Sequence, residues 1–114
     1  MKAQRDVLID EIYKLAVKDK DIYFFSADFG APSLDKFREN LPQQFIHAGI
    51  SEQNMIDMAA GMALAGKKVY VYAMGPFITL RCLEQLKCSL AQMNLPVTVI
   101  SVGLGLCYAD AGPT

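Results

Sequence analysis

The residues with the most chemical potential cluster in one short stretch, Phe45-Ile46-His47-Ala48-Gly49-Ile50-Ser51-Glu52. Glu52 stands where a strand end passes into a helix. A carboxylate in the first turn of a helix is favoured by the helix dipole and needs no further purpose. Held instead in an apolar pocket, which Ile50, Met55 and Phe77 could line, it would feel desolvation. Its pKa would rise, and it could exchange a proton with a ligand nitrogen. His47 is the single histidine. It also falls at a strand end, but no nucleophile accompanies it at a telling spacing, so it reads as a hydrogen-bonded structural residue. Cys82 and Cys88, six apart on one expected helix, do not share a face as a metal pair would and read as packing residues. Met55, Met58 and Met62 recur at helical spacing and read as core or as a partner-helix surface. Gly103-Leu104-Gly105 follows a strand, but it lacks the third glycine and the following helix of a dinucleotide fingerprint. There is no Walker-type phosphate loop.

These residues need elements to position them. Apolar Leu8, Ile12, Leu15 and Ala16 predict a helix over Arg5–Lys18, with Asp6 and Asp10 near its start and Lys18 near its end. Asp21–Ser26 is rich in strand formers. Ala27–Pro32 is a Gly- and Pro-punctuated loop. Ser33 is a candidate N-cap for a short helix through Asn40. Gln44–His47 predicts a second short strand, and a helix follows from Ser51 to Ala65 with Gly66 just past its end. Lys68–Ala73 alternates as a strand. Pro76 suits the start of a helix running to about Met93, closed by Asn94-Leu95-Pro96. Val97–Val102 is an almost wholly apolar strand, and Gly103–Thr114 is loop-like.

Strands alternating with helices predict an α/β fold, a parallel sheet with helices on both faces. The near-continuous apolar strands fit burial from both sides. Ligands in such sheets sit beyond the carboxyl ends of the strands. Those ends are Ala27–Pro32, Ala48–Glu52, Met74–Phe77 and Gly103–Thr114.

Composition narrows the possibilities. The 114 residues leave room for one domain, and 53% hydrophobic content excludes intrinsic disorder. The net charge of −1 argues against non-specific nucleic-acid binding. No apolar run approaches the roughly 18 residues of a membrane span, and Met1–Asp10 lacks a secretory apolar region. Three cysteines without a CxxC pair make a reduced, cytoplasmic compartment the simplest expectation.

The stretch Phe45–Met55 resembles the signature around the catalytic glutamate of transketolase-like thiamine diphosphate enzymes. Ala59-Ala60-Gly61-Met62-Ala63-Leu64-Ala65-Gly66 is similar to the segment that follows it. So are Gly75-Pro76-Phe77-Ile78-Thr79-Leu80-Arg81 with Glu84-Gln85, and the final Gly112-Pro113-Thr114. Ser26-Ala27-Asp28 resembles the loop after the domain's first strand. The similarities are collinear from about residue 22 onward, and the matching part is the pyrimidine-binding domain. The resemblance implies that Glu52 hydrogen-bonds a nitrogen of the aminopyrimidine ring and favours its imino tautomer, which takes the proton from the thiazolium carbon. It implies that Phe77 packs on the ring, and that Asp28 and Arg81 line the cofactor pocket or its subunit interface. It implies a thiamine diphosphate cofactor, with magnesium held by a partner domain or subunit, a homo- or hetero-oligomer, and sugar phosphate substrates.

The sequence also departs from the family. The diphosphate motif, a Gly-Asp-Gly followed by a metal-binding Asn, is absent. Ala111 stands where the family commonly has an Asp before Gly-Pro-Thr, with Asp110 one residue earlier. Residues 1–114 are therefore expected to form part of a pyrimidine-binding domain, leaving a sheet edge or apolar face for a partner to cover. The expected activity is transfer of a two-carbon ketol unit between sugar phosphates. The rival readings are a deoxyxylulose-phosphate synthase, a beta-type subunit of a 2-oxo acid dehydrogenase, or a non-catalytic interaction module.

Overall fold

In the computed structural model, residues 2–27, 30–108 and 110 are described. Four strands, β1 (Ile22–Ser26), β2 (Phe45–His47), β3 (Lys68–Met74) and β4 (Val97–Val102), form one sheet in the order β2-β1-β3-β4. Every pairing is parallel. The central strands β1 and β3 run in register from Ile22 opposite Lys68 to Ser26 opposite Tyr72.

Alternation along the strands separates two cores. Phe25 and Val71 face one side, where they pack with Met55, Ile56, Ala59, Ile78, Cys82 and Leu90. Phe24 and Tyr72 face the other, with Ile9, Ile12, Ala16 and Phe37. Helices α1 (Gln4–Lys18) and α2 (Asp35–Asn40) cover this second face, and α3 (Glu52–Leu64) covers the first. The expected two-faced parallel architecture is the one observed. Burial of both faces is strongest in the central strands β1 and β3 and weaker in β4, an edge strand whose Thr98 is exposed.

Three local expectations are corrected. The buried stripe of α1 is Ile9, Ile12 and Ala16, while Leu8 and Leu15 lie about half exposed. Ser33 is not a helix cap: it sits inside a 3-10 turn, Pro32–Leu34, that leads into α2. The long helix expected after Pro76 is broken. A four-residue α4 (Gly75–Ile78) is followed by a turn, then by α5 (Leu83–Gln85), which runs into a π-helical segment at Leu86–Ala91. Within that region the amides of Gln92 and Leu95 reach back five residues, to Lys87 and Leu90. The wider spiral shifts the register that a 3.6-residue period assumes. Helix α3 ends as expected. Gly66 adopts φ +82°, and the amides of Gly66 and Lys67 bond Ala63 and Met62 in a Schellman arrangement.

Candidate active site

Glu52 is the first residue of α3, and a compact turn from β2 sets its position. The His47 ring accepts the Gly49 amide at Nδ1 (3.0 Å), and Gly49 takes the left-handed φ of +72°. The Ser51 hydroxyl donates to the Ala48 carbonyl at 2.6 Å. The Ser51 carbonyl then accepts the Met55 amide and opens the helix. His47 is thus hydrogen-bonded, as expected, and helps to shape the turn. The chain emerges at the carboxyl end of the sheet with Glu52 only 4% exposed.

A second piece of backbone brings up the partner. The Thr79 amide and hydroxyl both bond the Gly75 carbonyl, and the Arg81 amide bonds Pro76. The Cys82 thiol donates to the Phe77 carbonyl at 3.1 Å. The Gln53 side-chain amide donates to the Arg81 carbonyl at 3.1 Å, tying α3 to this turn. Arg81 Nη1 then lies 3.0 Å from Glu52 Oε2, and its guanidinium carbon lies 4.3 Å from the centroid of the Phe77 ring. Glu52, Phe77 and Arg81, picked out separately in the sequence, form one cluster. Asp28, Ala111 and the Gly112-Pro113-Thr114 segment lie outside the described residues.

The surroundings differ from the expected apolar pocket in two ways. Ile50 does not help to enclose the carboxylate, because it is 79% exposed. Nor is Glu52 surrounded by apolar groups alone, because Arg81 supplies a charge partner. A carboxylate this buried requires such a partner. Met55 is fully buried, with Met58 and Met62 packed against the same core. Cys82 is a buried packing residue, and burial, aided by the nearby Glu52 carboxylate, pushes its thiol above the ordinary range. That leaves it unreactive. Cys88, expected to pack, is exposed on the outer side of the π-helical segment. Sequence reasoning missed Gln53, which anchors the Arg81 turn. A glutamine one residue after a buried glutamate carries no signal of its own, since its acceptor lies 28 residues away.

The cluster's chemistry is specific. A buried carboxyl group beside an aromatic face suits a flat, nitrogen-bearing heterocycle, which needs one surface to stack on and one group to hydrogen-bond a ring nitrogen. Among the described residues no group of three His, Cys, Asp or Glu side chains could hold a metal ion, and no helix is long and apolar enough to cross a membrane.

Comparison with known proteins bears on the fold and the family. A solved split-gene transketolase, described as an inactive beta4 tetramer, superposes with a TM-score of 0.78 over 89% of this chain and 34% of its own, at 24% identity. One of the subunits of the apulose-4-phosphate transketolase of Phocaeicola vulgatus is 38% identical over 115 residues, which is 100% of this chain and 37% of that protein. The 1-deoxy-D-xylulose-5-phosphate synthase of Corynebacterium glutamicum is 32% identical over 105 residues, 91% of this chain and 16% of that protein. The chain thus spans little more than a third of the transketolase subunit and a sixth of the synthase. The family model described as "Transketolase, pyrimidine binding domain" matches residues 1–114. The parallel sheet, the buried glutamate at its carboxyl end and this match along the full chain lead to one assignment: the protein belongs to the transketolase pyrimidine-binding-domain family.

Proposed function

We propose that this chain is the pyrimidine-binding part of a thiamine diphosphate-dependent transketolase that moves a two-carbon ketol unit between sugar phosphates. The observation that carries this reading is Glu52, 4% exposed at the start of α3, beside the half-buried ring of Phe77. Bound thiamine diphosphate supplies the electron sink for breaking a carbon–carbon bond next to a carbonyl. Glu52 receives and returns a proton at a nitrogen of the aminopyrimidine ring, and the α3 N-terminus steadies the carboxylate between transfers. Phe77 presents a flat apolar face that fixes the ring's plane. Asp28 and Arg81 border the same site.

The diphosphate and its magnesium ion belong to a partner domain or subunit, because this chain carries no motif for them. Exposed Ile50, Leu80 and Leu83 support a partner surface at this end of the molecule. The assembly is a homo- or hetero-oligomer in which the cofactor lies between the two surfaces.

The test is substrate profiling of the complete protein with thiamine diphosphate and magnesium. Turnover of ketose phosphates, lost in Glu52→Gln, is the expected result. Turnover of pyruvate instead would place the protein with the deoxyxylulose-phosphate synthases, to which it is also similar. Full activity in Glu52→Gln would overturn the assignment of the glutamate.

A further inference from the structure

The Arg81 guanidinium already makes both contacts that the proposed function assigns to the cofactor's ring. It lies over Phe77 at 4.3 Å from the ring centroid and donates to Glu52 at 3.0 Å. A guanidinium is a flat group edged with N–H donors, and an aminopyrimidine is a flat ring whose edge nitrogen can share a proton with a carboxyl group. The two compete for the same aromatic face and the same carboxylate. The Arg81 backbone is held in place by Pro76 and Gln53, so the competition is a matter of its side chain alone. That side chain is 44% exposed, and among the described residues its one ion pair is with Glu52. It therefore has a path to solvent and little else to hold it.

We infer that Arg81 is a displaceable occupant of the ring site: it covers Phe77 and pairs with Glu52 in the unliganded protein, and it yields both to the aminopyrimidine. The inference rests on the reading of Glu52 and Phe77 as the ring-binding pair. Its physical content is a tax on binding. Any contact that stabilises only the unliganded state weakens apparent affinity by the population it withholds. A half-exposed ion pair and a cation–π contact are each modest, so the tax is about three- to tenfold. In exchange, the buried carboxylate never stands without a cation when the cofactor is away.

The experiment is an equilibrium titration by calorimetry of the complete protein, with its diphosphate-binding partner surface, using thiamine diphosphate and magnesium. Arg81→Gln is expected to tighten binding about three- to tenfold, and the ratio to wild type is expected to shrink as salt rises, because an ion pair is being removed. Arg81→Lys keeps the charge but cannot lie flat on the ring, so it tightens binding by less. It also serves as the second variant if Arg81→Gln fails to fold. In a Glu52→Gln background, Arg81→Gln should tighten binding by less than it does alone, since the ion pair is already gone and only a neutral hydrogen bond and the Phe77 contact remain. Unchanged or weaker binding in Arg81→Gln, while Glu52→Gln weakens binding, overturns the displaceable occupant and leaves the ring-binding pair standing. Unchanged binding in Glu52→Gln overturns the ring-binding pair itself, and the inference with it.

Discussion

At the amino end of the sheet the Gln44 side-chain amide reaches three carbonyls, those of Ala16, Asp19 and Ile22, at 2.9–3.0 Å. It is 7% exposed and stitches the end of α1 to the start of β1. Around it, Lys67 pairs with Asp21 and Lys68 with Asp19, each at 2.7 Å. At the carboxyl end the arrangement reverses. Ile50, Leu80, Leu104 and Leu106 are exposed, Gly49, Gly103 and Gly105 hold left-handed turns, and a buried carboxylate is met by a long, half-exposed side chain. One end spends its polar groups on closing the fold. The other keeps apolar surface and a charged pair available. Sites that must admit a ligand are drawn from the less tightly closed part of a structure, which here is the end proposed to hold the ring.

The largest expected effect tests that division at the end where the ring site is proposed. Glu52→Gln should lower turnover of the complete enzyme by roughly 10²–10⁴, the range of a lost proton-transfer group. The same change should move the chain's unfolding free energy by less than about 1 kcal/mol, because the amide still accepts from Arg81 and a buried charge has been removed. Steady-state kinetics beside chemical denaturation checks both. A large stability loss would mean that the carboxyl end, too, is built to hold the fold together.

Gln44→Ala is the mirror experiment. It removes the buried amide shared by three carbonyls, of which that of Asp19 keeps the Ile22 amide, at a cost of about 1–3 kcal/mol. Cofactor affinity of the folded protein should stay at the wild-type value. Denaturant unfolding and calorimetric binding on the same preparation separate the two quantities.

Much of the amino-end framework is legible in the sequence, for identifiable reasons. The bounds of Val97–Val102 are readable to the residue because it is a short run rich in β-branched residues between Pro96 and Gly103. The end of α3 is legible because only glycine adopts +82° easily. The buried face of α1 is not, since Leu8-Ile12-Leu15 and Ile9-Ile12-Ala16 are both helical stripes and periodicity cannot choose between them. The choice lies in the fit against Phe24, Phe37 and Tyr72 on the facing core. The break after α4 is hidden for another reason. Turn and π-helix are set by hydrogen bonds to Gly75, Pro76 and Lys87, which leave the apolar spacing looking continuous. Glu52, Phe77 and Arg81 are each identifiable, the latter two through a family resemblance. Their meeting is not, because it depends on that unforeseen turn.

Next in size is a pair of glycine substitutions. Gly66→Ala places a side chain at φ +82° with nothing within 4 Å of the new methyl group. The penalty is therefore purely conformational, about 1 kcal/mol, and appears as a lower unfolding midpoint. Gly75→Ala at the other end has an allowed backbone, but its methyl group collides with the Leu104 side chain. Leu104 is 55% exposed and can move aside. The expected result is a smaller stability loss than at Gly66, with faster amide exchange confined to the loop after β4. Equal losses at both glycines would erase the distinction between a closed end and an adaptable one.

The smallest effect is electrostatic and belongs to the amino end. The Lys68 ammonium donates to Asp19, as does the Asp21 amide, and together they hold the Asp19 carboxyl below the ordinary carboxylate range. A lowered folded-state pKa gives stability that is fully present above the unfolded value of about 3.9 and lost as pH falls through the folded one. The partner ammonium of Lys68 is raised by the Asp19 hydrogen bond. Its contribution is complete below an unfolded value of about 10.4 and lost as pH rises through the folded one. The pair therefore supports the fold on a plateau across neutral pH and fades at both extremes. Asp19→Asn should lose a small part of the wild-type stability on that plateau and converge with wild type in strong acid. Added salt should narrow the gap between them, because both groups are solvent-accessible. A gap that stayed constant down to about pH 2 would trace it to the Asp19 backbone turn rather than to the ion pair.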